Sequence, residues 1–101
     1  MSKFITPKEL QEISKVCTNI EEERFIENLD LKTIENTVKS AAERCKHNCK
    51  ITIDVEEYMH LPITRLLRLA ADHFTQLGFN FRETDLNYNY LEKEIYLNFT
   101  W

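Results

Sequence analysis

The stretch Ile63-Thr-Arg-Leu-Leu-Arg-Leu-Ala-Ala-Asp-His-Phe-Thr-Gln-Leu-Gly78 decides the fold, together with the remaining residues through Trp101. Ile63, Leu66, Leu67, Ala70, Phe74 and Leu77 share one face at helical spacing, with Arg65, Arg68, Asp72 and Gln76 off it. Gly78, the single glycine, comes directly after the last apolar residue and suits a left-handed helix terminus. Phe79, Phe81 and Glu83 then alternate with polar residues, as do Ile95, Leu97, Phe99 and Trp101. Both segments are expected to be strands with one wet face, joined by a long Asn- and Tyr-rich segment, Asp85 to Lys93.

Working outward, Lys50 to Glu56 alternates strictly and predicts a half-buried strand, and Glu57 to Pro62 turns the chain. Before it, Leu31, Ile34, Val38, Ala41 and Cys45 form a stripe behind a capping Asp30, and His47-Asn48 is the expected stop. At the start, Thr6-Pro7-Lys8-Glu9 is a helix N-terminus, with Ile5 and Leu10 placed as a hydrophobic staple. Leu10, Ile13, Val16 or Cys17, and Ile20 recur along it. Thr18-Asn19 is a weak helical pair, and a break there would let Asn19 cap a second piece from Ile20 to Leu29. The other reading is one helix through Asn28. The fold class is α+β: N-terminal helices, then strand-helix-strand-strand, a small three-stranded sheet covered by helices on one face. The strand-helix-strand spacing allows a parallel crossover, and the last two strands make an antiparallel hairpin.

At 101 residues, residues 1–101 form one domain. A formal net charge of -4 gives no cationic footprint for nucleic acid. No apolar run is long enough to span a membrane, and no apolar h-region follows Lys3. A cytoplasmic protein with three reduced cysteines is expected.

Chemistry-bearing residues are sparse. Cys45, His47 and Cys49 are soft ligands, yet a lone C-x₃-C lacks the second pair zinc favours. No metal or other cofactor is expected; Cys45 reads as the last apolar step of its helix and Cys49 as a strand-start packing residue. One glycine rules out a Gly-rich phosphate loop, and no spacing pairs Asp54, Glu56, Glu57 or Asp72 as acid and base. The chain is therefore not expected to be an enzyme. Arg65, Arg68 and Arg82 are candidates for an anionic ligand if their elements converge. Tyr88, Tyr90, Tyr96 and Trp101 are candidate partner contacts, since Tyr and Trp anchor interfaces. Trp101 continues the inner register of its strand and is expected to pack on the N-terminal helices or on another subunit.

The C-terminal pattern, Leu77-Gly78-Phe79-Asn80-Phe81, a polar spacer and Ile95-x-Leu97-x-Phe99-Thr100-Trp101, resembles short accessory proteins of large tailed phages. The resemblance covers about the last 40 residues and carries no functional residue with it. It implies a small non-enzymatic binder that oligomerises and engages a host protein in host takeover or anti-defence, in the host cytoplasm. An alternative it leaves open is a sponge holding a nucleotide-type signal at a subunit interface.

Overall fold

The computed structural model describes residues 5–101. Its elements are α1 (Pro7–Glu27), α2 (Leu31–Glu43), β1 (Asn48–Asp54), α3 (Ile63–Gln76), β2 (Leu86–Asn89) and β3 (Glu94–Thr100), with short 3₁₀ turns at Glu56–Tyr58 and Glu83–Asp85. The class is the expected α+β, with helices on one face of a three-stranded sheet.

The caps read from sequence form. The Glu9 N–H donates to Thr6 Oγ1 at 3.2 Å. Asp30 accepts from the Thr33 N–H at 3.2 Å and from the Thr33 hydroxyl at 2.7 Å, and these bonds hold its carboxyl below the usual range. Helix α1 is continuous through Thr18-Asn19, against the expected break. The weak propensity of two residues costs only about 1 kcal/mol, less than opening the helical ladder there would.

Two helices end in the same motif. At α3 the Phe79 N–H reaches the Phe74 carbonyl and the Gly78 N–H the Thr75 carbonyl, with Gly78 at φ 105°. At α2 the Lys46 N–H reaches the Ala41 carbonyl and the Cys45 N–H the Ala42 carbonyl, with Cys45 at φ 63°. Helix α2 thus stops at Glu43 rather than at His47-Asn48. Cys45 is the exposed left-handed terminus, not the last apolar step.

The sheet order is β1-β3-β2, antiparallel throughout, with Ile51 opposite Leu97 and Leu86 opposite Leu97 from the other side. Among the described residues no parallel crossover pair forms. The strand expected at Phe79–Glu83 is instead irregular chain outside the sheet as far as Arg82, and Glu83 begins the 3₁₀ turn. The Arg82 N–H donates to Asp85 Oδ2 at 2.8 Å, so the chain is turned there before it can join a ladder. β2 consequently lies inside what reads as a joining segment, and the true hairpin loop is only Tyr90–Lys93. Phe79 and Phe81 still point inward: their rings sit edge-on to Phe99 at 5.0 and 5.2 Å, and Phe74 does so at 4.9 Å.

The core lies between the inner sheet face and the helices. β3 supplies Ile95, Leu97 and Phe99, and β1 supplies Ile51. α3 supplies Ile63, Leu66, Leu67, Ala70, Ala71 and Phe74. α2 adds Ile34, and α1 a single fully buried residue, Phe25. The outer face of the sheet carries Lys50, Thr52, Tyr96 and Asn98 and is polar.

Candidate interaction surface

Helix α1 is where the molecule departs from a closed domain. Only its last turns dock. The Phe25 ring meets Tyr58 edge-on at 5.2 Å, and Asn28 Nδ2 donates to the Tyr58 hydroxyl at 2.8 Å. Arg65 donates from Nε and Nη2 to the two oxygens of Glu22 at 2.7 and 3.3 Å. His60 Nε2 lies 3.2 Å from Glu21 Oε2. The Arg65 hydrogen bond holds the Glu22 carboxyl below its ordinary range, and Glu22 in turn raises the Arg65 guanidinium.

Ahead of that dock, every residue from Ile5 to Ile20 is exposed. The apolar ones are not exceptions: Leu10 is 46% accessible, Ile13 58%, Val16 57% and Ile20 52%. Ile13, Val16, Cys17 and Ile20 line one shallow, almost wholly apolar depression with Glu12 at its edge. The molecule measures 71 × 27 × 22 Å, with a radius of gyration of 17.2 Å. A compact domain of this length would have about 13 Å; the projecting arm accounts for the difference. A helix of about a dozen residues is marginal in water by itself, and this one includes Ser14, Thr18 and Asn19, none a strong helix former.

The aromatic candidates do not assemble into one patch. Tyr88 faces the inner side opposite Ile95 but lies beyond the helical cover, and Tyr90 is at the hairpin loop. Tyr96 is on the outer face, its ring 4.4 Å from Lys50 Nζ and its hydroxyl donating to Glu94 at 3.1 Å; desolvation first, then Glu94, raises its phenol. Trp101 sits about 20 Å away at the other end of β3. Its N–H donates to the His47 carbonyl at 3.0 Å, while the residue is 44% accessible. Leu91, beside Tyr90, is 89% accessible and carried no signal in the sequence, being one apolar residue in a polar loop.

The arginines do not converge either. Arg65 is bound to Glu22, and Arg82 Nε lies 3.5 Å from Asp85 Oδ2. Arg68 lines a groove with Glu83, a carboxylate, rather than with another cation. Cys45 is exposed at the end of α2, and Cys49 belongs to β1. Among the described residues no group of three or more His, Cys, Asp or Glu side chains is gathered to hold a metal ion. A cleft of about 250 Å³ between α1, α2 and β1 holds Phe25, Leu29, Ile34 and Ile53, with Asp30 and Asp54 on its rim. It falls below the range of small-molecule sites, and both carboxylates already accept backbone N–H groups, of Thr33 and Glu56.

The residues that matter most were therefore visible as a helical stripe but not as a surface. A stripe at 3.6-residue spacing announces a face to be covered without saying what covers it. Among the described residues no helix is long and apolar enough to cross a membrane. No family model, no curated protein and no solved structure matches this chain.

Proposed function

We propose that this chain is a small non-enzymatic binding protein that works through the bare face of α1. The carrying observation is the row Leu10, Ile13, Val16 and Ile20, half exposed along a helix that its own body does not cover. Soluble chains rarely leave a contiguous apolar strip uncovered without using it for an interaction. The likeness of the C-terminal half to phage accessory proteins makes an assembling host-takeover or anti-defence factor the biological setting, with a host protein as the eventual target. The hairpin loop, with Tyr90 and Leu91, is a second exposed apolar feature on which that target can dock. A nucleotide sponge receives no support from the arginines, two of which are paired within the chain.

The test is association, with itself and with purified host fractions, measured by sedimentation velocity for wild type and Ile13→Glu. Wild type is expected to form a complex that Ile13→Glu does not form, with both variants sharing one thermal midpoint at low micromolar concentration. Wild type that stays monomeric and unaccompanied, or a complex indifferent to Ile13→Glu, contradicts the reading.

A further inference from the structure

The geometry points to a second copy of this chain as the occupant of the arm, its α1 packed antiparallel on the first about a two-fold axis level with Lys15. The inference rests on the proposed role of the α1 face as a docking surface, and it names the partner.

The spacing carries it. Leu10, Ile13, Cys17 and Ile20 step by three, four and three, which is the seam of a two-helix coiled coil. That seam is symmetric about its middle. Turned end for end about Lys15, Leu10 meets the partner's Ile20 and Ile13 meets the partner's Cys17, and the reverse contacts arise from the same operation. All four seam positions are matched by one axis, the requirement for a self-complementary two-fold interface. Val16, beside the seam, falls next to the axis and meets its own copy there.

The charges choose the direction. Glu21, Glu22 and Glu23 sit where the arm enters the body. A parallel pair would bring both acidic triplets side by side, together with both bodies. The antiparallel pair sends the triplets to opposite ends, each level with the partner's helix N-terminus, which carries partial positive charge. Glu9 approaches the partner's Glu23 in this arrangement, one like-charged contact at each rim, where solvent screens it. The projection of the arm places the bodies at opposite ends of a long particle.

Size sets the strength. Three turns of helix with about half their circumference covered bury on the order of 700 Å² over both copies. That is below the range of permanent dimers, so weak, reversible association is expected rather than an obligate pair.

The experiment uses the full chain in a Cys17→Ala, Cys45→Gly, Cys49→Ala background. Leu10→Cys and Ile20→Cys are introduced singly, on chains of two distinguishable masses, and the oxidised products are counted at 100 µM. The mixed disulfide is expected to exceed either self-disulfide about tenfold, and adding Ile13→Glu to both chains is expected to abolish it. Self-disulfides of Leu10→Cys and Ile20→Cys dominating the mixture would show a parallel pair and overturn the proposal. So would a wild-type chain that sediments as a monomer at 500 µM. In that last case, capture of a host protein that Ile13→Glu abolishes leaves the reading of α1 as a docking face standing, while indifference of every complex to Ile13→Glu overturns both.

Discussion

Helices α1 and α3 are written on the same period and end in opposite environments. In α3 the stripe Ile63, Leu66, Leu67, Ala70 and Phe74 is buried against the sheet, with Leu66 and Ala70 wholly inaccessible. In α1 the stripe Leu10, Ile13, Val16 and Ile20 remains half exposed, and a single residue, Phe25, is buried. Periodicity specifies that a helix has an apolar side. Whether the chain itself supplies the opposite wall depends on the length left over. The sheet fills the wall for α3 and for α2, and after that only the last turns of α1 find a body to lie on, against α3.

The largest effects should come from α3 and from the one buried side chain of α1. Leu66→Ala is expected to cost about 3 kcal/mol and Phe25→Ala about 3 to 4 kcal/mol in urea unfolding at 5 µM, through lost burial and the cavity left behind. Phe25→Ala should also free the arm from Tyr58, seen as loss of the Arg65–Glu22 pairing in the acid titration of Glu22. If Phe25→Ala costs less than about 1 kcal/mol, α1 is not held to the body as described.

Smaller effects should appear at the helix ends, where α2 and α3 use one motif with different residues. Cys45→Gly is expected to stabilise by about 1 kcal/mol, because it removes the penalty of a side chain at positive φ. Gly78→Ala should destabilise by about the same amount; a Cβ there meets nothing within 4 Å, so the cost is purely that of the backbone angle. Equal and opposite shifts in thermal midpoint would support this, whereas no change at Cys45 would mean its angle relaxes.

The response to acid belongs to the body as well. Asp85 is held below the ordinary carboxylate range, first by the Arg82 N–H and then by Asn98. A carboxyl lowered in the folded state stabilises above its unfolded value, about pH 3.9, and that contribution is lost as pH falls through the lowered folded value. Asp85→Asn should therefore flatten the loss of stability below about pH 4. An acid profile identical to wild type would remove Asp85 as a contributor.

The smallest effect should be at the arm. Ile13→Ala at 5 µM is expected to change unfolding free energy by no more than about 0.5 kcal/mol, as at other exposed positions. A cost near that of Leu66→Ala would mean that the arm folds against the body in solution.

Much of the body was legible in the residues. The Thr6 and Asp30 caps, the Gly78 terminus, the alternation of Ile51 and Ile53 and of Ile95, Leu97 and Phe99, and the α3 stripe each state a local rule that the fold obeys. The second strand was not legible. Phe79 and Phe81 alternate as a strand does, but their order comes from stacking on Phe99, and the ladder is taken by Leu86–Asn89, whose Asn residues are weak strand formers. Cys45 at a left-handed position was hidden for a related reason, since a thiol gives no sign of φ. The candidate site was half legible: the α1 stripe was plain, while its exposure is a tertiary fact that no local spacing contains. The arginine and tyrosine sets were chosen by residue type, and their scatter over different faces could be seen only once the register of β1, β2 and β3 was known.

Hydrogen exchange at the amides of residues 10–20, compared at 2 µM and 200 µM chain, tests the central claim most directly. With the arm bare in the monomer and covered in the antiparallel pair, these amides are expected to exchange near the unprotected rate at 2 µM. They should slow severalfold at 200 µM, while the amides of α3 exchange equally slowly at both. Exchange from residues 10–20 that is independent of concentration, whether fast or slow, would contradict it.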